Sequence, residues 1–397
     1  MSGLEIIAPD PRRHAAAVID LVSKCFGNYF AFRDHCRRGY LLGSHYDWGA
    51  SRVGLLGGRL VTHWGVWDYA MRIGSAAVRA GGIGVVATQA DHRKRGYMAR
   101  TARASLAAMR GAGYDVSILF GISDFYHRFG YVPAWAEVSW TMKAADLPAA
   151  PLGARLLRTA ARHRRDLAAI YNREHAGLTG TAVRPTFRAC ARTNRWEGHR
   201  WTDGRGRTAG YVFLTRDPDR IVCQEAGGDP EQVLRALRAV ARRRGAREVR
   251  FDVPHDASRL ARRLRQANAR AEYRYNPAGG AMVRLVNLRG TLDKMAGELS
   301  RRLAASAMRD WRGTLVVAGA GEEAALHIRR GRVRVGPGRS ARHAIWGGAA
   351  LARLLIGSAE PDEAIEAGRM RLSGDARRLA AVLFPNQHPM LSAWDRF

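Results

Sequence analysis

Cysteine is scarce in this 397-residue chain, and Cys25, Cys36, Cys190 and Cys223 lie far apart with no Cys-x-x-Cys pair among them. That spacing supplies neither a zinc knuckle nor a disulfide framework, so free thiols packed as small apolar groups are expected, and no metal site. Long apolar runs are also missing. No window of eighteen apolar residues occurs, and Met1–Pro11 has neither a basic nor an apolar leader region. The expectation is a cytoplasmic protein without a membrane span or signal peptide. Lysine is almost absent: of 65 basic residues only Lys24, Lys94, Lys143 and Lys294 are lysine, against 35 acidic residues and a net charge of +30. The arginine clusters at Arg162–Arg165, Arg242–Arg244 and Arg262–Arg265 are scattered over alanine-rich helical patterns instead of gathering on one element with interleaved aromatics. That pattern reads as solvated helix faces and argues against a dedicated nucleic-acid surface; nonspecific, salt-dependent binding to polyanions is what remains.

What is present is concentrated in Gly82–Ala134. Ile83, Val85 and Val86 form an apolar, β-branched run, a polar turn leads to Arg93-Lys94-Arg95-Gly96, and Met98, Ala102, Leu106 and Met109 then follow at helical spacing. A strand that feeds a helix through a basic glycine loop makes an anion site. The helix N-terminus offers unpaired N–H groups and the positive end of its dipole, and a glycine lets a bulky ligand approach the backbone. A pyrophosphate is the expected ligand. The spacing fits neither the P-loop, which needs Gly-Lys-Ser/Thr, nor the three-glycine dinucleotide fingerprint.

The loop resembles that of the GNAT N-acetyltransferases, whose acetyl-CoA motif reads Arg/Gln-x-x-Gly-x-Gly/Ala. Here it is Arg93-Lys94-Arg95-Gly96-Tyr97-Met98, with Met98 where most of the superfamily has a small residue. His92 ahead of it and the later block Tyr126-His127-Arg128-Phe129-Gly130-Tyr131 are similar to the enhanced intracellular survival (Eis) branch. The resemblance implies that acetyl-CoA sits with its pyrophosphate on Arg93, Lys94, Arg95, Gly96, Tyr97, Met98 and Ala99. It also implies that its pantetheine arm pairs with backbone freed at Val86, Ala87 and Thr88, where the strand Val78–Thr88 parts from its neighbour. By the same resemblance Gly121 and Ile122, just after the strand Val116–Phe120, are cofactor-binding residues, and a short helix carries Tyr126 to the thioester.

Taken in order, the pattern predicts a strand at Leu4–Ala8, a helix from Pro11 with Val18, Leu21, Val22 and Phe26 inward, and a second helix Phe32–Leu42. Strands Arg52–Leu56 and Leu60–Ile73 follow, joined by the hairpin signal Gly57-Gly58. Tyr29, Phe32 and Tyr40 are core or acceptor-pocket aromatics. Strands near Tyr131 and at Glu137–Met142 close a first domain, and Asp146–Pro151 is a linker. Beyond it come helices at Leu167–His175 and Glu231–Arg244 and strands at Ala209–Leu214, Arg220–Glu225, Glu248–Val253 and Gly280–Val286. Ala226-Gly227-Gly228-Asp229-Pro230 stands where a second phosphate loop would be, but it is acidic. The last segment, with strands Thr314–Val317, Ala325–Ile328 and Arg332–Val335, helix Gly347–Ile356 and terminal Asp395-Arg396-Phe397, resembles the sterol carrier protein-like end of the same family. The fold expected is α/β with mixed sheets: a catalytic GNAT domain 1–147, a second GNAT-like domain 148–288 without a cofactor loop, and a sterol carrier protein-like α+β domain 289–397.

Acetyl transfer to an amine needs a free amine, a donor to the carbonyl oxygen and a proton for sulfur. A phenol near pKa 10 and a thiol near about 8.5 are close enough for Tyr126 to act as the acid, and a backbone N–H around Val86 would polarise the carbonyl. His127 and Glu137 are candidates for the base. The resemblance instead implies that the C-terminal carboxylate, here that of Phe397, reaches the acceptor site, with a primary amine as acceptor and a homohexamer as the assembly. Some aminoglycoside-modifying relatives carry an acidic residue near the position of Asn28, which this chain lacks. A second reading is a lipid or acyl-chain binder acting through its last domain; a third is an arginine-rich nucleic-acid binder.

Overall fold

Gly57 and Gly58 both take positive φ, 53° and 76°, the left-handed pair that turns a two-residue hairpin with the twist of its strands. The computed structural model describes residues 3–27, 41, 44–184, 196–217, 219–252, 254–338 and 341–397. The expected helix Phe32–Leu42, Leu41 apart, lies outside them, as do Asn28, Tyr29, Cys36 and Cys190. Two compact units are present: residues 1–135, 276–387 and 397, and residues 136–275 and 388–396.

In the first unit β1 (Glu5–Ile7) leads to α1 (Pro11–Phe26). The Asp10 carboxylate starts that helix by accepting from the N–H groups of Arg12 and Arg13 at 2.8 Å each. After it come β2 (Arg52–Leu56), β3 (Arg59–Ile73), β4 (Ala76–Thr88), α2 (Tyr97–Gly111), β5 (Val116–Gly121) and β6 (Val132–Pro133). The sheet runs β1-β2-β3-β4-β5, then the strand Gly280–Leu285, then β6; β4 and β5 are parallel and the other pairs antiparallel.

The helix Leu288–Ala304, absent from the sequence reading, buries Leu288, Leu292, Met295, Leu299 and Leu303. These merge Met71, Ile73 and Val78 of the first sheet with Leu315, Val317, Leu326 and Ile345 of a five-stranded sheet into one apolar core. Each such side chain contributes about 1.5–3 kcal/mol on burial. The buried Glu298 of that helix accepts from the Ser75 N–H at 3.0 Å and the Ser75 hydroxyl at 2.6 Å, fixing the turn between β3 and β4, and pairs with Arg301 and Arg302.

The second unit's sheet repeats the motif of the first. Thr208–Arg216 pairs antiparallel with Arg220–Gly227, which is parallel to Glu248–Phe251 and followed by the crossover helix Pro230–Arg244. Here, however, Asp229 caps the helix with its own carboxylate, accepting from Glu231 and Gln232 N–H at 3.1 and 3.2 Å. The place a phosphate would take is filled by the protein. Arg184 is buried in this unit between Glu225 and Asp395, at 2.7 and 2.8 Å, with the Tyr171 ring 3.4 Å away.

Two strands depart from expectation. Glu137–Lys143, read as closing the first domain, lies in the second unit's sheet between Arg270–Arg274 and Glu248–Phe251. Gly280–Leu285, read with the second region, lies in the first unit's sheet between β5 and β6. No described helix is long and apolar enough to cross a membrane.

Candidate active site

The parallel pairing of β4 with β5 ends at Ile83↔Leu119, although β4 continues to Thr88 and β5 to Gly121. Ala87 and Thr88 stay bonded to β3, opposite His63 and Thr62, so one edge of this strand end is held and the other opens onto the gap. Val86 and Ala87 thus have no partner in the ladder to β5, whereas the Thr88 carbonyl, expected to be free as well, accepts from the Cys25 thiol at 3.3 Å. The β3–β4 register slips here: between His63↔Ala87 and Gly65↔Gly84, Trp64 faces two residues, Val85 and Val86. This is a β-bulge. Val85 has φ 45°, a left-handed conformation that costs a β-branched residue on the order of 1–3 kcal/mol.

Past Thr88 the chain makes a 3₁₀ turn, Ala90–His92, and enters the basic loop. Arg93, Lys94 and Arg95 are exposed, and the Arg93 Nε reaches back to the Thr88 carbonyl at 3.4 Å. Gly96, at φ 74°, is the N-cap of α2, where no side chain accepts from the first-turn amides and no acidic residue occupies the first turn. A Cβ on Gly96 would meet nothing within 4 Å. Tyr97, Met98 and Ala99 form the half-buried start of the helix. In contrast with Asp229 in the second unit, this helix end is left open to an outside anion.

Tyr126 precedes a 3₁₀ turn at His127–Phe129 instead of lying within the short helix expected. Its ring covers Gly121, where a Cβ would stand 2.5 Å from the ring carbon Cδ2, and it packs edge-on to Trp64 and Phe125. Its hydroxyl has no hydrogen-bond partner among the described residues. Burial raises its pKa to about 12. Ile122 beside it is 70% exposed, unusual for so apolar a side chain. His127 is exposed, and Glu137 belongs to the second unit, where Arg396 lies 3.8 Å from it.

Phe397 packs in the first unit. Its ring lies on Gly82 and makes tilted contacts with Tyr69 and Phe120, both at 6.0 Å between centroids. Its carboxyl carbon lies 2.9 Å from where a Cβ on Gly84 would be. Gly82 and Gly84 point to the same face of β4, two residues apart, and leave a bare floor for the last residue. The sequence did carry that signal, since glycines alternating within a strand mark the close approach of another backbone.

Sequence reasoning missed His63 and Tyr46. His63 is fully buried, with Nδ1 2.8 Å from the Val85 carbonyl and Nε2 2.8 Å from the Tyr46 hydroxyl. Burial lowers its pKa to about 4. No group of His, Cys, Asp or Glu suited to a metal ion occurs among the described residues.

Residues 12–134 match the family model described as "Acetyltransferase (GNAT) domain". No curated protein matches the chain. Among solved structures, a GCN5-related N-acetyltransferase from Anabaena variabilis ATCC 29413 is 16% identical with a TM-score of 0.77, each chain covered in full. A conserved protein of unknown function from Enterococcus faecalis V583, a probable N-acyltransferase, is 16% identical with a TM-score of 0.78, again over both whole chains. Eis1 from Mycobacterium abscessus is 18% identical with a TM-score of 0.66, also over 100% of each chain. At these identities the likeness establishes the fold.

Proposed function

From the GNAT acetyltransferase domain formed by residues 12–134, we propose that this enzyme transfers an acetyl group from acetyl-CoA to a primary amine by direct attack, with Tyr126 as general acid and the C-terminal carboxylate of Phe397 as general base. The observation that carries the reading is the seat of Phe397: its carboxyl group lies on Gly84, one residue before the bulge and just past the point where β4 and β5 part.

The open N-terminus of α2, with Arg93, Lys94 and Arg95 around it, would hold the pyrophosphate, and Val86, Ala87 and Thr88 would pair with the pantetheine amides. Bound there, acetyl-CoA supplies an electrophilic thioester carbonyl. The Phe397 carboxylate takes a proton from the amine as its nitrogen bonds to that carbon. The Val86 N–H meets the charge that develops on the carbonyl oxygen. As the carbon–sulfur bond breaks, its electron pair goes to sulfur, to which Tyr126 offers its hydroxyl hydrogen. Because burial makes this phenol a weaker acid than a free one, its part is hydrogen-bond donation that becomes proton transfer late, as the sulfur gains charge.

An amine acceptor of the aminoglycoside, polyamine or lysine type, a homohexameric assembly, a cytoplasmic location and the division into 1–147, 148–288 and a sterol carrier protein-like 289–397 belong to the same proposal, apart from the two exchanged strands. The lipid-binding reading has less behind it, since Leu315, Val317, Leu326 and Ile345 of the last sheet are all fully buried in the common core.

Incubation with acetyl-CoA and a panel of polyamines, aminoglycosides and lysine peptides, read by thiol release, tests the proposal. Release with at least one amine is expected. No release with any of them, and no thermal shift with CoA, would overturn it.

A further inference from the structure

We infer that His63 is a positioning residue: it holds the peptide between Val85 and Val86 so that the Val86 N–H is aimed at the thioester carbonyl oxygen. The inference rests on the acetyltransferase reading above and adds to it a part that neither the loop nor the terminal residue supplies.

Four observations carry it. Val85 and Val86 have no register partner in the ladder to β3 or in the ladder to β5, so ordinary strand pairing does not orient the peptide between them. Val85 sits at φ 45°, a conformation that a valine keeps only when its surroundings impose it. The imposing group is in view: His63 Nδ1 lies 2.8 Å from the Val85 carbonyl oxygen. Behind it, the Tyr46 hydroxyl lies 2.8 Å from His63 Nε2, and Tyr46 is itself wedged edge-on between Trp48 and Trp67.

The hydrogen positions follow from the partners. A ring whose pKa burial lowers to about 4 is neutral at physiological pH and carries one N–H. A carbonyl can only accept, so that hydrogen is on Nδ1, and Nε2 accepts from the Tyr46 hydroxyl. In a trans peptide the C=O and the following N–H point in opposite directions. Pinning the Val85 carbonyl toward His63 therefore turns the Val86 N–H away from it. Trp64, the next residue on β3 and so on the other face, packs against Tyr126. The amide and the phenol thus serve one side of the sheet.

The test compares wild type with His63→Leu, His63→Asn and Tyr46→Phe in the full chain. It measures kcat, KM for acetyl-CoA, calorimetric affinity for CoA and the infrared carbonyl stretch of bound acetyl-CoA labelled with ¹³C at the thioester carbon. His63→Leu should lower kcat by about 10–100-fold, below the ~10²–10³-fold loss of a whole oxyanion donor, with CoA affinity within about threefold. In that variant the carbonyl stretch should move toward its value in free acetyl-CoA. His63→Asn, which restores an N–H near the Nδ1 position, should recover kcat to within about fivefold of wild type. A kcat within twofold of wild type for His63→Leu, or an unmoved carbonyl stretch, would overturn the inference. If His63→Leu does not fold, Tyr46→Phe decides: a shifted stretch supports the inference and an unshifted one overturns it. Wild-type protein that neither binds CoA nor releases thiol would overturn the acetyltransferase reading itself, whereas wild-type turnover with an indifferent His63→Leu would overturn this inference alone.

Discussion

The carboxyl carbon of Phe397 lies 2.9 Å from the position a Cβ on Gly84 would occupy, closer than a real Cβ contact allows. Gly84→Ala keeps an accessible backbone conformation in β4 but must displace both of its nearest neighbours, the backbone carboxyl group of Phe397 and the Trp67 ring, each 2.9 Å from the added Cβ. Since a misplacement of about 1 Å at a reacting group can cost on the order of 10²-fold, the substitution should lower kcat by roughly 10–100-fold while CoA affinity stays within about threefold. Steady-state thiol release together with calorimetry with CoA checks both halves.

Gly96 separates backbone from steric effects. A Cβ there meets no protein atom within 4 Å, yet φ is 74°, so Gly96→Ala costs on the order of 1–2 kcal/mol of strain in the loop that presents the α2 amides. The expected result is a rise of about 5–20-fold in the dissociation constant for CoA, with less than a threefold change in kcat at saturating acetyl-CoA. An unchanged affinity measured by calorimetry would remove the loop from the CoA site.

The pKa of Tyr126, raised by burial to about 12, sets the sign of a pH dependence. The hydroxyl remains a donor at every pH below that value, so its ionisation produces no fall in activity in the neutral or mildly alkaline range. The pH profile of kcat/KM should rise as the amine loses its proton and hold level to about pH 10. A descending limb below pH 10 that vanishes in Tyr126→Phe would contradict the assignment.

Glu298 offers a test of the fold that does not involve the chemistry. Burial alone would raise its pKa, but hydrogen bonds from Arg301, Ser75 and Arg302 outweigh it and hold the carboxyl at about 2. A folded pKa below the unfolded one means that the stability is fully present above the ordinary carboxylate range and is lost as pH falls from about 4.5 toward 2. Glu298→Gln should therefore cost about 3 kcal/mol at pH 7, as expected for breaking a buried ion pair, and the difference from wild type should shrink on acidification through that window. Urea denaturation at pH 7 and pH 3 measures it.

The parts of this site that were legible in the sequence are those encoded locally. The run into Arg93-Lys94-Arg95-Gly96, the helical spacing after it and the glycine pair at the hairpin each name their own geometry, whereas the place of Phe397 was expected only from the family resemblance. What escaped depends on partners far away in the chain. Glu137–Lys143 and Gly280–Leu285 are both short alternating strands, and nothing within either says which sheet will take it. Leu288–Ala304 carries Gly290 and Gly297, which weaken a helical pattern that only burial against two sheets stabilises. Val85 has the most extended of preferences, so its left-handed φ is invisible until His63, some twenty residues earlier in the chain, is seen to hold its carbonyl.

One extra glycine after Phe397 isolates the role of the terminal carboxylate, because it moves that group by about 3.5 Å and changes no side chain of the protein. In the extended chain kcat for thiol release should fall at least about 100-fold while the calorimetric affinity for CoA stays within about threefold. Full turnover by the extended chain would contradict it.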